Sequence, residues 1–154
     1  MRKVFVAIAI LLSTATARAE MAPREGWAVL PTDIGYEMLI ERLKSAVKAN
    51  GFGVVTQAGP TGAAARRGIE IPGNRVVGVF NNDYAVRILS LSTAAMIEAP
   101  IRFYVTENAD RSATLSYKTP TTVFAPYMAE ANGLSDIASD LDVAFARIAS
   151  DATR

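Results

Sequence analysis

The spacing of apolar residues along the chain changes period several times, and each change marks an element. Between Ile101 and Glu107, and again between Ser112 and Lys118, apolar and polar residues alternate one by one, the period of a half-buried strand. Asn108-Ala109-Asp110-Arg111 between them is turn-forming, so the two strands are predicted to make a hairpin. On one face stand Ile101, Phe103, Val105, Ala113, Leu115 and Tyr117. The other carries Arg102, Tyr104, Thr106, Thr114, Ser116 and Lys118. The first face should meet helices, leaving the second to water, a ligand or another subunit.

Two stretches switch to the helical period. From Ile34 to Asn50, Tyr36, Leu39, Ile40, Leu43, Ala46 and Val47 fall on one stripe, with Thr32 or Asp33 expected as cap and Gly51 as terminator. From Leu134 to Ala152 a longer stripe runs through Ile137, Ala138, Leu141, Phe145, Ile148 and Ala149. A third, shorter helix is expected from Asp83 to Leu91, capped by Asn81 or Asn82, with Tyr84, Ile88 and Leu91 inward and Asp83 facing Arg87.

Short apolar runs fill the gaps. Gly26–Leu30, stopped by Pro31, reads as the first strand and Phe52–Gln57 as the second. A short alanine-rich turn of helix follows at Gly62–Arg67. Arg75–Phe80, almost continuously apolar, reads as an interior strand covered on both faces. Thr119–Gly133 is expected to drape over one end of the core or to act as a lid or dimer contact, because Val123–Met128 is too apolar for an ordinary loop. The order β-α-β-α-β-α-β-β-α defines an α+β domain, a small mixed, largely antiparallel sheet backed by helices.

The chain begins differently. Arg2 and Lys3 precede an apolar run, Val4–Leu12, and a small-residue stretch ending Ala17-Arg18-Ala19. This is the layout of a cleavable secretory signal over residues 1–19, and the run is shorter than the ~20 residues a membrane helix needs. Residues 20–154 then form one globular domain, periplasmic or secreted, without a membrane anchor. Loss of Arg2, Lys3 and Arg18 changes the formal charge from +1 to −2. Such a charge, without a basic cluster beyond Arg66-Arg67, argues against nucleic acid as a partner.

The absence of both cysteine and histidine removes much chemistry. Disulfides, Cys-His and Ser-His nucleophilic systems, and metal sites built on thiolate or imidazole cannot form. No metal or cofactor is expected. The remaining candidates are arginine, lysine, tyrosine, asparagine and carboxylates. Arg87, Arg102 and Lys118 could hold a carboxylate or phosphate; Tyr84, Tyr104, Tyr117 and Tyr127 could shape an aromatic pocket; Glu98 and Glu107 could pair as acid and base. Gly59-Pro60-Thr61-Gly62 lacks the lysine of a phosphate loop and reads as a turn.

Several short motifs together resemble the domain of unknown function family 302. They are Gly51-Phe52 after the first helix, Asn81 closing the third strand, Ala99-Pro100-Ile101-Arg102-Phe103-Tyr104-Val105-Thr106-Glu107, and Tyr117-Lys118-Thr119-Pro120. The likeness spans about Trp27 to Ala149. It implies a small α/β domain of the TATA-binding-protein-like class, and a homodimer. The family pattern often carries a histidine where this chain has Ala58-Gly59-Pro60, and Asn-Pro where it has Asn81-Asn82.

The leading expectation is a non-enzymatic periplasmic module that binds a small anionic ligand or another protein. Asn81, Tyr84, Arg87, Arg102, Tyr104 and Lys118 are its candidate binding residues. The alternatives are an enzyme acting on a small anionic substrate through Arg, Glu and Tyr, and an accessory subunit of an envelope complex.

Overall fold

The computed structural model describes residues 21–154; the expected secretory signal lies outside the described residues. Five strands form one sheet: β1 (Trp27–Gly35), β2 (Gly53–Ala58), β3 (Asn74–Phe80), β4 (Ile101–Glu107) and β5 (Ser112–Lys118). Their spatial order is β1-β5-β4-β3-β2, and all four pairings are antiparallel. Helices α1 (Tyr36–Ala49), α3 (Asn82–Leu91) and α5 (Leu134–Thr153) supply most of the apolar cover on one side. The short helices α2 (Thr61–Ala65) and α4 (Pro120–Phe124) occupy connections.

The core is the meeting of the stripes read from the sequence. Leu39, Ile40, Leu43 and Val47 of α1, and Leu134, Ile137, Leu141, Phe145 and Ile148 of α5, are buried against Val77, Val79, Phe103, Val105 and Leu115 of the sheet. Phe145 stacks on Phe103 at 4.7 Å and meets Phe52 edge-on at 6.1 Å. Helix α1 ends as Gly51 requires. Its φ of 79° lets Gly51 N–H donate to the Lys48 carbonyl and Phe52 N–H to that of Val47, closing the last turn.

Four local features differ from expectation. β1 does not stop at Pro31 but continues to Gly35, with an irregularity after Pro31. An edge strand tolerates the missing N–H, because its outer side has no partner to lose. Neither Thr32 nor Asp33 caps α1; Gly35 occupies that position without a side-chain bond, and the Thr32 hydroxyl donates instead to the Ala113 carbonyl at 2.7 Å. Leu91, expected inward, is 40% exposed at the end of α3. Segment 119–133, expected as a connection without secondary structure of its own, is partly helical: α4 is followed by a 3-10 turn at Ala125–Tyr127, and Phe124 is buried in the core. α4 is tied to α5 by Asp142, whose carboxylate accepts from the Thr121 N–H and hydroxyl. Among the described residues no helix is long and apolar enough to cross a membrane.

Candidate functional site

Because strand side chains alternate, the sheet face turned away from the helices is built in rows across the strands. Trp27 pairs with Lys118, and Arg102 with Gly78. One step beyond the Phe103–Tyr117 pair, the β4–β5 register sets Arg102 opposite Lys118. The first row therefore reads Trp27, Lys118, Arg102, Gly78, with Thr56 of β2 beyond. The second reads Val29, Ser116, Tyr104, Val76. Glycine at 78 is required by packing: a Cβ there would stand 2.2 Å from the Thr56 hydroxyl and 2.9 Å from the Pro100 ring.

A groove of about 340 Å³ opens over these rows, lined among others by Trp27, Asn74, Val76, Arg102, Tyr104 and Lys118. Glu98, from the 3-10 turn Ala94–Glu98 before β4, and Val123 of α4 complete its rim. Two cations of like sign stand directly opposite, an arrangement that costs stability unless something neutralises it. The ion pairs among the described residues are Lys44–Glu41, Arg87–Asp140 and Arg154–Asp151, none of which uses Arg102 or Lys118. Lys118 instead lies 5.8 Å from the centre of the Trp27 ring, which Arg24 approaches to 5.2 Å. The Tyr104 hydroxyl is fixed by the Asn74 amide at 2.5 Å. The Tyr127 hydroxyl donates to Glu98 Oε1 at 2.8 Å, and that bond holds its pKa above the ordinary value. Tyr117, opposite Phe103 on the helix-facing side of the sheet with the rings 5.1 Å apart, is also raised, by burial first and by Asp142 second.

The sequence-derived candidates therefore separate into two groups. Arg102, Tyr104 and Lys118 share the groove. Asn81, Tyr84 and Arg87 sit around the start of α3, on the helix side. Asn81 caps α3, accepting from the N–H groups of Asp83 (2.9 Å) and Tyr84 (3.2 Å) while donating to the Gly51 carbonyl. Tyr84 stacks on Phe52 at 5.8 Å. Arg87 lies 5.4 Å from the Tyr84 ring and pairs with Asp140 at 3.2 Å rather than with Asp83. The two glutamates also part company. Glu98 borders the groove, whereas Glu107, at the far end of β4, accepts from Gly73 N–H at 2.7 Å. β4 is about 20 Å long at ~3.4 Å per residue, too far for one acid–base pair.

Trp27, Asn74 and Val76 are groove residues that alternation alone did not single out. Only strand order brings them beside Lys118 and Tyr104. Among the described residues no group of three or more His, Cys, Asp or Glu gathers to hold a metal.

Comparison with known proteins agrees with this fold. The crystal structure of an uncharacterized conserved protein DUF302 from Bacillus stearothermophilus superimposes with a TM-score of 0.74. It covers 85% of this chain and 100% of the other at 22% sequence identity, a likeness of fold alone. No curated protein matches the chain. The family model described as Domain of unknown function DUF302 matches residues 29–152, nearly the whole of the described domain. This protein belongs to the DUF302 family.

Proposed function

We propose that this protein is an exported, non-enzymatic binding module whose open sheet face receives a small anionic ligand. The single observation that carries the reading is the facing pair Arg102 and Lys118 in a groove, with no carboxylate partner among the described residues. An anion bridging the two cations would convert a cross-strand repulsion into two charge-assisted contacts. The leader at residues 1–19 supports export, and the uncommitted cations support recognition over catalysis: no nucleophile–base couple accompanies them in the groove. Small carboxylates and phosphate should raise the melting temperature of the mature protein, since a ligand at 100 times its Kd adds ~2.7 kcal/mol. The shift is expected to vanish in Arg102→Ala/Lys118→Ala. A shift that survives both substitutions, or no shift with any anion, would reject the reading.

A further inference from the structure

The cations account for an anionic group but not for the rest of the groove. A site for a bare inorganic anion needs little more than donors and charge. This one adds the indole of Trp27, the phenol of Tyr104 held in place by Asn74, and the apolar side chains of Val76 and Val123. Its volume, about 340 Å³, lies at the small end of the ~300–1,000 Å³ range of ligand clefts, room for a small organic body. Glu98 adds a third requirement. Oriented through Oε1 by Tyr127, it makes no ion pair with Arg102 or Lys118, and Oε2 has no partner among the described residues. An ionised carboxylate is an acceptor only, so it repels a second acid group and welcomes a donor.

Resting on the anion-binding reading above, we infer that the groove selects a planar aromatic acid carrying a second, hydrogen-bond-donating group. The acid bridges Arg102 and Lys118, the ring lies against Trp27 and Tyr104, and the donor reaches Glu98. Each part matches a chemistry already in place: planar guanidinium for carboxylate, aromatic faces for a ring, and a held carboxylate for a hydroxyl or amine.

Trp27 is the sole tryptophan, so its fluorescence reports on the groove directly. Titrations of the mature protein with inorganic phosphate, cyclohexanecarboxylate, benzoate and 4-hydroxybenzoate separate the contributions. Benzoate is expected to bind about three- to tenfold more tightly than cyclohexanecarboxylate, the advantage of a flat ring on aromatic walls. 4-Hydroxybenzoate is expected to gain about a further tenfold. That last gain, read as the ratio of 4-hydroxybenzoate to benzoate affinity within one variant, should disappear in Glu98→Ala and partly return in Glu98→Gln, which keeps a carbonyl acceptor. Equal affinity for the flat and saturated rings, a preference for phosphate, or a hydroxyl gain that persists in Glu98→Ala would overturn the inference while leaving the anion site standing. If no probe binds, the anion-binding reading itself falls.

Discussion

The two clusters of polar residues on opposite sides of the sheet are made of the same materials and treated oppositely by the fold. At the start of α3 the three candidate residues are engaged within the fold: Asn81 through three hydrogen bonds, the Tyr84 ring by Phe52, Arg87 by Asp140. In the groove Arg102 and Lys118 face each other without a counter-charge among the described residues. The difference teaches where to look for function. A polar residue whose partners lie within its own fold contributes to stability, whereas an exposed charge set opposite a like charge and without a counter-ion is available to something else. Substitutions should therefore sort by side of the sheet: losses of stability beneath it, changes of binding above it.

The largest effect belongs beneath. Phe145 is fully buried between Phe52, Phe103 and Tyr117, so Phe145→Ala should destabilise by about 3–5 kcal/mol in urea unfolding. Asn81→Ala comes next, at about 1 kcal/mol for a lost helix cap, with the Kd of any groove ligand unchanged. A changed Kd would break the separation of the two sides. The sharpest test reverses the sign. Arg102→Glu places a carboxylate opposite Lys118 and is expected to stabilise the fold by about 0.2–1 kcal/mol, while abolishing anion binding. If Arg102→Glu destabilises the protein, the like-charge pair was not the unsatisfied feature it is taken to be.

How much of this could be read from the sequence follows from range. The buried faces of α1 and α5 and the two faces of the β4–β5 hairpin were legible residue by residue, because the 3.6 and 2.0 periods are local properties. Every member of the inward set of β4 and β5, Ile101, Phe103, Val105, Ala113, Leu115 and Tyr117, is buried. Half of the groove was legible for the same reason, since Arg102, Tyr104 and Lys118 belong to one hairpin. The other half was not. Trp27 reaches Lys118 only because β1 adds to the outer edge of β5 from more than eighty residues away, and Asn74 and Val76 arrive through β3. Strand order is a tertiary fact that no periodicity encodes. Arg87 illustrates the same limit in reverse: Asp83, four residues back, is the partner helix spacing favours, yet Asp140 of α5 takes the guanidinium. Thr114 and Ser116, expected on an open face, are buried there, the Thr114 hydroxyl donating to Asn108 Oδ1 at 3.0 Å.

Arg87 also supplies the smallest and most discriminating substitution. Its guanidinium combines three signs of function, exposure, an aromatic neighbour and charge, yet both members of its ion pair are about half exposed, 49% and 57%. Water screens such a pair, and holding two flexible side chains together offsets much of what remains, so Arg87→Ala should cost about 0.5 kcal/mol or less. The contact with Tyr84 adds little at so exposed a position. An Arg87→Ala variant with near-native unfolding and an unaltered Kd for groove ligands is therefore expected, and Arg102→Ala made alongside it should lose binding with equally little change in stability. A loss of binding on replacing Arg87 would mean that the helix side communicates with the groove through Phe52, Phe145 and Tyr117, the aromatic chain that connects them, and would place the functional boundary of the molecule elsewhere than at its sheet.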